Sequence, residues 1–423
     1  MVSHTEIVAT ILFAIAIAHT FSVPVFARRA EHGGPHAGLW HMLSEVEAVF
    51  GFWACALFGW MWLTGGVQEA VHYLDTRNFT EPAFVFVIMV VAASRPIVEL
   101  VRLVVDAVAR LLPVQSTLAH FFVVMSLVPL SGSLITEPAA MTLAALLLRR
   151  SYFTRPGHDG FKYLMVGVLF VNVSIGGVLT AYAAPPVLMV AQTFGWDTAF
   201  MATHFGWRAA CAIILNSLAL TFICRPFLLS IGPDGSAESE RPRCSWAVMG
   251  VHVLFLVGVV LASHHIHIFM ALLVLFIGYT QAYPRHQSRL LLREGLMVGF
   301  FLAGLVVLGG LQQWWLQDLL AGLSPYVLYF GATGLTAITD NAALTYLGSL
   351  VEGTGELWRY MLVAGSVTGG GLTVIANAPN PAGFSILKGC FSDGTIAPLK
   401  LLGAAAVPTL VAVIMFLLPN SFS

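Results

Sequence analysis

Two acidic residues stand where a charge is costly. Glu137 lies in Ile135-Thr-Glu-Pro-Ala-Ala-Met-Thr142 and Asp340 in Ile338-Thr-Asp-Asn-Ala-Ala-Leu-Thr345, octets identical at five of eight positions and each set inside a long apolar run. An ionisable group at bilayer depth is expensive and marks an ion or proton path by default. Burial in a low dielectric favours the neutral carboxyl, and a like charge nearby favours it further. Such a group takes up a proton near neutral pH unless a cation replaces it. That competition is the chemistry of exchange: proton or cation occupies the site, never both, and the occupant is carried when the access side changes. The competing reading is that each acid caps a helix N-terminus, a place where Asp is favoured and Glu is not.

Neutral oxygens accompany the acids. Ser133, Thr136, Thr339, Asn341 and Thr345 flank them, and hard cations such as sodium take oxygen ligands. Small hydroxyl residues also let membrane helices pack closely, so each of them has a packing reading too. Asn341 has Pro138 as its counterpart, and only the amide can ligate. Asp340 and Asn341 are therefore the candidate sodium ligands, and the second half carries more weight.

A second stretch repeats as well. Gly176-Gly-Val-Leu-Thr-Ala-Tyr-Ala-Ala-Pro-Pro186 and Gly369-Gly-Gly-Leu-Thr-Val-Ile-Ala-Asn-Ala-Pro379 agree at six of eleven positions. Both read as membrane helices broken near the middle, with Gly176, Gly177, Gly369 and Gly370 permitting close backbone approach. Ser174, Thr180, Thr373, Asn377 and Asn380 lie in or beside the breaks as further candidate ligands. Supporting a kink by hydrogen bonds is the alternative. Gly/Pro-interrupted hydrophobic pairs in corresponding places of two halves point to a transporter binding site.

The elements that must hold these groups follow from composition. Of 423 residues, 58% are hydrophobic and 10% charged, against about 25% charged in soluble domains. A span needs about 20 mostly apolar residues. Apolar segments at 6–26, 45–64, 83–98, 117–148, 162–194, 199–224, 246–263, 266–283, 295–312, 322–350, 360–387 and 397–418 fill the chain. The fold class is an all-α polytopic membrane protein, multi-pass and expected in a bacterial inner (plasma) membrane. The fourth and tenth segments, which carry the acids, are too long for one span. Pro129, Ser131, Gly132, Ser133 and Pro138 interrupt one, and Pro325, Gly331, Thr333, Gly334 and Thr336 the other. Both read as re-entrant hairpins, because unpaired backbone at membrane depth must be buried in protein or line a wet cavity.

Topology supports that choice. Lys and Arg gather at Arg28 and Arg29, at Arg149, Arg150, Arg155 and Lys162, at Arg225, Arg241 and Arg243, and at Arg285, Arg289 and Arg293. With those loops cytoplasmic, the N-terminus starts outside, and every loop keeps its preferred side only if segments four and ten each enter and leave on one face. The reading is about 10 spans plus two hairpins in inverted repeats: residues 1–225 with a hairpin entering from the cytoplasm, a linker at 226–245, and residues 246–423 with a hairpin entering from outside.

Other charged residues are weaker candidates. Arg95, Glu99, Arg102, Asp106 and Arg110 alternate in sign on one helix face and read as a self-paired stripe at the cytoplasmic end of the third segment. Glu45, Glu47 and Arg208 have no evident partner, and His264, His265 and His267 form a solvated turn. Five scattered cysteines, Cys55, Cys211, Cys224, Cys244 and Cys390, give neither a disulfide framework nor a metal cluster. Residues 6–26 lack a basic lead-in and a cleavage site, and read as a retained helix. The net charge of −1 says nothing about nucleic acid, and no basic patch argues for it as a partner. No nucleophile with its base, no metal cluster and no cofactor motif argues for an enzyme.

Ser174-Ile-Gly-Gly-Val-Leu-Thr-Ala-Tyr-Ala-Ala-Pro-Pro186 and Thr368-Gly-Gly-Gly-Leu-Thr-Val-Ile-Ala-Asn-Ala-Pro-Asn380, with the two octets, resemble the helix breaks and hairpin tips of the ArsB/NhaD-type ion-transporter superfamily. Residues 115–195 and 320–390 carry the likeness, and within the superfamily the chain is most similar to sodium/proton antiporters. The resemblance implies inverted repeats, opposed hairpins, an elevator-like or rocking motion, and often a homodimer. Dicarboxylate carriers of that superfamily show Ser-Asn-Thr at the tips; here Thr136-Glu-Pro138 and Thr339-Asp-Asn341 stand there, and acids repel an anion. The expected function is cation/proton antiport, with sodium or lithium exchanged for protons across the lipid bilayer. The alternative is a proton- or sodium-coupled carrier of a small organic or oxyanion substrate.

Overall fold

Proline and glycine decide where the long apolar runs break. In the computed structural model, which describes residues 3–153, 158–231 and 244–419, helices make up 79% of the chain and the described residues contain no strand. Seven helices are long and apolar enough to cross a membrane, or up to eight if a bent pair counts as one span. Trp246–Leu261 and Ile266–Ala282 are apolar but shorter. The protein is an integral, multi-pass membrane protein.

The fourth predicted segment divides into helices Ser116–Ile135 and Glu137–Ser151, joined at Thr136. Their far ends meet again, where His120 Nδ1 and the Tyr152 hydroxyl lie 2.8 Å apart. The pair is thus a helical hairpin. Pro129 lies inside its first arm and has no N–H for the Met125 carbonyl. Asn172 Nδ2 and Ser217 Oγ donate to that carbonyl instead, each at 2.9 Å. The tenth segment divides into Pro325–Thr336 and Asn341–Ser349.

Both predicted helix breaks are present. Asp159–Gly176 stops and restarts as Pro185–Phe194, while Glu356–Gly369 stops and restarts as Asn380–Leu387. Each restart has proline in its first turn, where a missing N–H costs nothing. The first break packs in two directions, since a Cβ at Gly176 would run into the Pro129 carbonyl of the first hairpin. A Cβ at Gly369 would likewise run into the Thr333 carbonyl of helix Pro325–Thr336. Away from the breaks, Val46–Gly65 and Leu292–Gly309 cross closely enough that a Cβ at Gly304 would strike the Phe50–Gly51 backbone. Small residues at such crossings are how membrane helices gain contact.

One expectation is corrected. The alternating charges do not extend the third segment. That helix ends at Ala92, and after a bend of 64° a separate helix runs Arg95–Leu111. Pro96 cannot donate to the Ala92 carbonyl, so the helix cannot run through. The stripe does pair with itself, Arg95 to Glu99 at 3.8 Å and Arg102 to Asp106 at 3.9 Å.

Contacts between loops sort into two sets. Arg95 donates to the Arg285 carbonyl, Cys244 N to Glu99, Ser392 N to Asp159, and Arg293 pairs with Glu45. Asn78 donates to Gln192, Gln313 to Glu352, the Trp196 indole to Glu356, and Arg208 to the Pro419 carbonyl. Each set joins loops that the charge-based topology puts on one face. Most of the predicted linker at 226–245 lies outside the described residues.

Candidate functional site

Thr136 holds the tip of the first hairpin with φ 72° and ψ 151°. A β-branched residue is strained there, at a cost of about 1–3 kcal/mol, and such strain gathers at functional sites. Ser133 ties the tip to the first break. Its hydroxyl donates to the Gly176 carbonyl at 2.7 Å and accepts from Leu179 N at 2.9 Å, while the Thr180 hydroxyl donates to the Ser133 carbonyl at 2.7 Å. The next residue after Thr136 is Glu137, the first residue of its helix and wholly buried, with no side-chain cap to that helix.

Asp340 does something different. It is the N-cap of Asn341–Ser349, its Oδ1 accepting from Ala342 N at 2.8 Å and Ala343 N at 3.2 Å. It is also half-buried, and its neighbour Ile338 is 52% exposed. Thr373 ties this tip to the second break through the Ala337 carbonyl at 2.7 Å, and Asn341 N donates to the Ala376 carbonyl at 3.3 Å. Pro138, the counterpart of Asn341, has no N–H for the second of these bonds.

The two halves then interlock. Asn377 of the second break donates its Nδ2 to Glu137 Oε2 at 2.9 Å. Ser174 of the first broken helix donates to the Val367 carbonyl of the second at 2.7 Å. Glycine makes the room, because a Cβ at Gly177 would press on Glu137 Oε1, and one at Gly370 on Ser174 Oγ and the Asn341 amide, with Asn377 just beyond. Asn380 braces the second break by donating to the carbonyls of Gly370 and Thr373, both at 2.8 Å.

Buried polar atoms without partners accumulate here. Thr136 Oγ1, Glu137 Oε1, both side-chain polar atoms of Asn341, Asn377 Oδ1 and Asn380 Oδ1 have none. Each such atom costs about 1–3 kcal/mol, and an uncompensated buried carboxylate costs several. These costs are concentrated at one crossing. The donor set is oxygen-rich and holds one carboxylate, which suits a hard monovalent cation or a proton.

Not every predicted ligand joins the cluster. Thr339 donates to the Leu335 carbonyl of its own turn at 2.9 Å. Glu45, without an evident partner in the sequence, pairs with Arg293, and Glu47 lies in the first turn of Val46–Gly65. Arg208 also has partners, the carbonyls of His204 and Pro419 at 2.6 and 2.8 Å, and it lies against the Trp207 ring.

Residues 4–419 match the family described as "Putative Na+/H+ antiporter". No curated protein matches the chain.

Proposed function

The chain belongs to this Na+/H+ antiporter family, and on that premise we propose that it exchanges sodium or lithium for protons with Glu137 as the exchanging group. The observation that carries the reading is the state of that side chain. Glu137 is 0% exposed, its Oε2 is held by Asn377, and its Oε1 has no partner. A lone carboxylate there is too costly to persist. It is stable as the acid or as the salt of a small cation, and one displaces the other. Asn377 serves both states, its Nδ2 orienting the carboxyl and its Oδ1 available to the ion. In this reading Thr136, Asn341 and Ser174 complete the shell, together with the carbonyls of the unwound segments. Asp340 and its neighbours Thr339 and Asn341 then form the second tip, whose negative charge favours the protonated or cation-bound form of Glu137.

The proposed architecture is two inverted repeats, residues 1–225 and 246–423, with re-entrant hairpins reaching the midplane from opposite faces. Support comes from the repeated stretches, the matching Gly176 and Gly369 contacts, and the sorting of loop contacts into two faces. A homodimer in a bacterial inner membrane completes the proposal. Neither tip carries Arg or Lys, so a carrier of organic anions lacks its natural counter-charge.

Everted vesicles test this directly. Addition of sodium or lithium should release accumulated protons, seen as dequenching of a pH-sensitive dye, while choline and succinate should not. Release unchanged in Glu137→Gln would end the assignment.

A further inference from the structure

A cavity of about 440 Å³ lies apart from the ion cluster, on the face where Asn78 meets Gln192. Its lining includes Glu81, Ala181, Tyr182, Gln192, Asp197 and His264, and contains neither Lys nor Arg. Glu81 Oε1 accepts from Asn78 Nδ2 at 3.1 Å, which fixes the carboxylate at the wall. Four separate elements supply these residues, and the charge-based topology puts all of their loops outside. Two residues of the first helix break, Ala181 and Tyr182, form part of the lining. Thr180, next to Ala181, is bonded to the Ser133 carbonyl, and Gly177, earlier in the break, faces the unpartnered Glu137 Oε1. The unwound segment that faces the unpartnered Glu137 Oε1 at Gly177 thus also lines, at Ala181 and Tyr182, an open space with two acidic residues in its wall.

We propose that this cavity is the route by which the transported cation passes between the external medium and Glu137, with Glu81 the carboxylate that draws it in. The inference rests on the exchange reading above and adds the path and its collecting group. Ala181 and Tyr182 belong to the unwound segment 177–184, and in this proposal that segment shifts to let the ion pass while the hairpin keeps its place. Acidic walls concentrate cations and repel anions, and a carboxylate at the mouth acts on the rate of arrival more than on the strength of final binding.

Cysteine labelling provides the test. In a cysteine-free full-length chain carrying Ala181→Cys, a trimethylammonium-bearing methanethiosulfonate applied from outside should react about tenfold faster than a sulfonate-bearing one, each rate taken relative to a free thiol. Glu81→Gln should bring that ratio towards one, and Glu81→Asp should retain it. The same Glu81→Gln change should raise the KM for sodium more than it lowers kcat. Leu188→Cys, also in the lining, replaces Ala181→Cys if the latter does not fold. Lack of reaction from outside, with a surface cysteine reacting normally, overturns the proposal, as does a ratio unaffected by Glu81→Gln. Labelling needs no turnover, so the two readings fail separately. Charge discrimination without sodium-driven proton release sinks the exchange reading, whereas exchange without discrimination sinks this one.

Discussion

The two hairpin tips are nearly the same in sequence and unlike in use. Glu137 gives nothing to its own helix; one oxygen is held by the opposite half of the molecule and the other is unengaged. Asp340 gives Oδ1 to two amides of its own helix and is half-buried. One acid is thus held by tertiary structure with an oxygen unengaged, while the other is held locally as a cap. The shared motif does not decide this difference, which comes from what the other half of the chain offers each acid. The second half offers Asn377 to the first. The first offers only Ala184 at the corresponding place.

Substitutions can break or sharpen this contrast. The largest effect belongs to Glu137→Gln, which should reduce sodium-driven proton release at least about a hundredfold, whereas Asp340→Asn, which keeps the cap, should stay within roughly tenfold of the native rate. Equal losses in the two variants would erase the distinction between the tips. Next, Asn377→Ala removes the donor to a charged group and should raise the KM for sodium about 10- to 100-fold; an unchanged KM would make the Glu137–Asn377 bond incidental.

Acidity should act on the same site. Protons compete for Glu137, so where the acid form predominates the KM for sodium should rise up to about tenfold for each pH unit of acidification. A KM flat across pH 6 to about 9 would contradict competition at one group. The glycines give a steric version of the comparison. Gly177→Ala pushes on Glu137 and Gly370→Ala on Ser174 and Asn341, and each should weaken sodium binding about tenfold through displacement. Gly334→Ala, where an added Cβ meets open space, is the control that should bind normally.

The smallest effect separates cap from charge. Asp340→Ala should lower thermal stability by about 0.5–2 kcal/mol, while Asp340→Asn should not. Identical melting of the two variants would mean that capping is not what Asp340 contributes.

Sequence alone determined a good deal of this protein. Composition required a polytopic helical membrane protein, proline and glycine marked where the long apolar runs break, and the acids in apolar surroundings marked the candidate site. These are readable because backbone breaks and the cost of burying charge depend on residues within a few positions. Even the capping role of Asp340 is local, and it stood as an alternative from the start. The bend before Arg95 was missed although Pro96 signals it, because the apolar run and the charge stripe join without a gap.

Only the tertiary structure decided which acid is deepest and who its partner is. Glu137 and Asn377 are 240 positions apart, and their bond exists because the two broken helices cross where glycines admit both. The same is true of Arg293 beside Glu45 and of the cavity that Ala181 and Tyr182 line. Burial and pairing at these places come from packing between distant segments, and no local pattern encodes a distance between them.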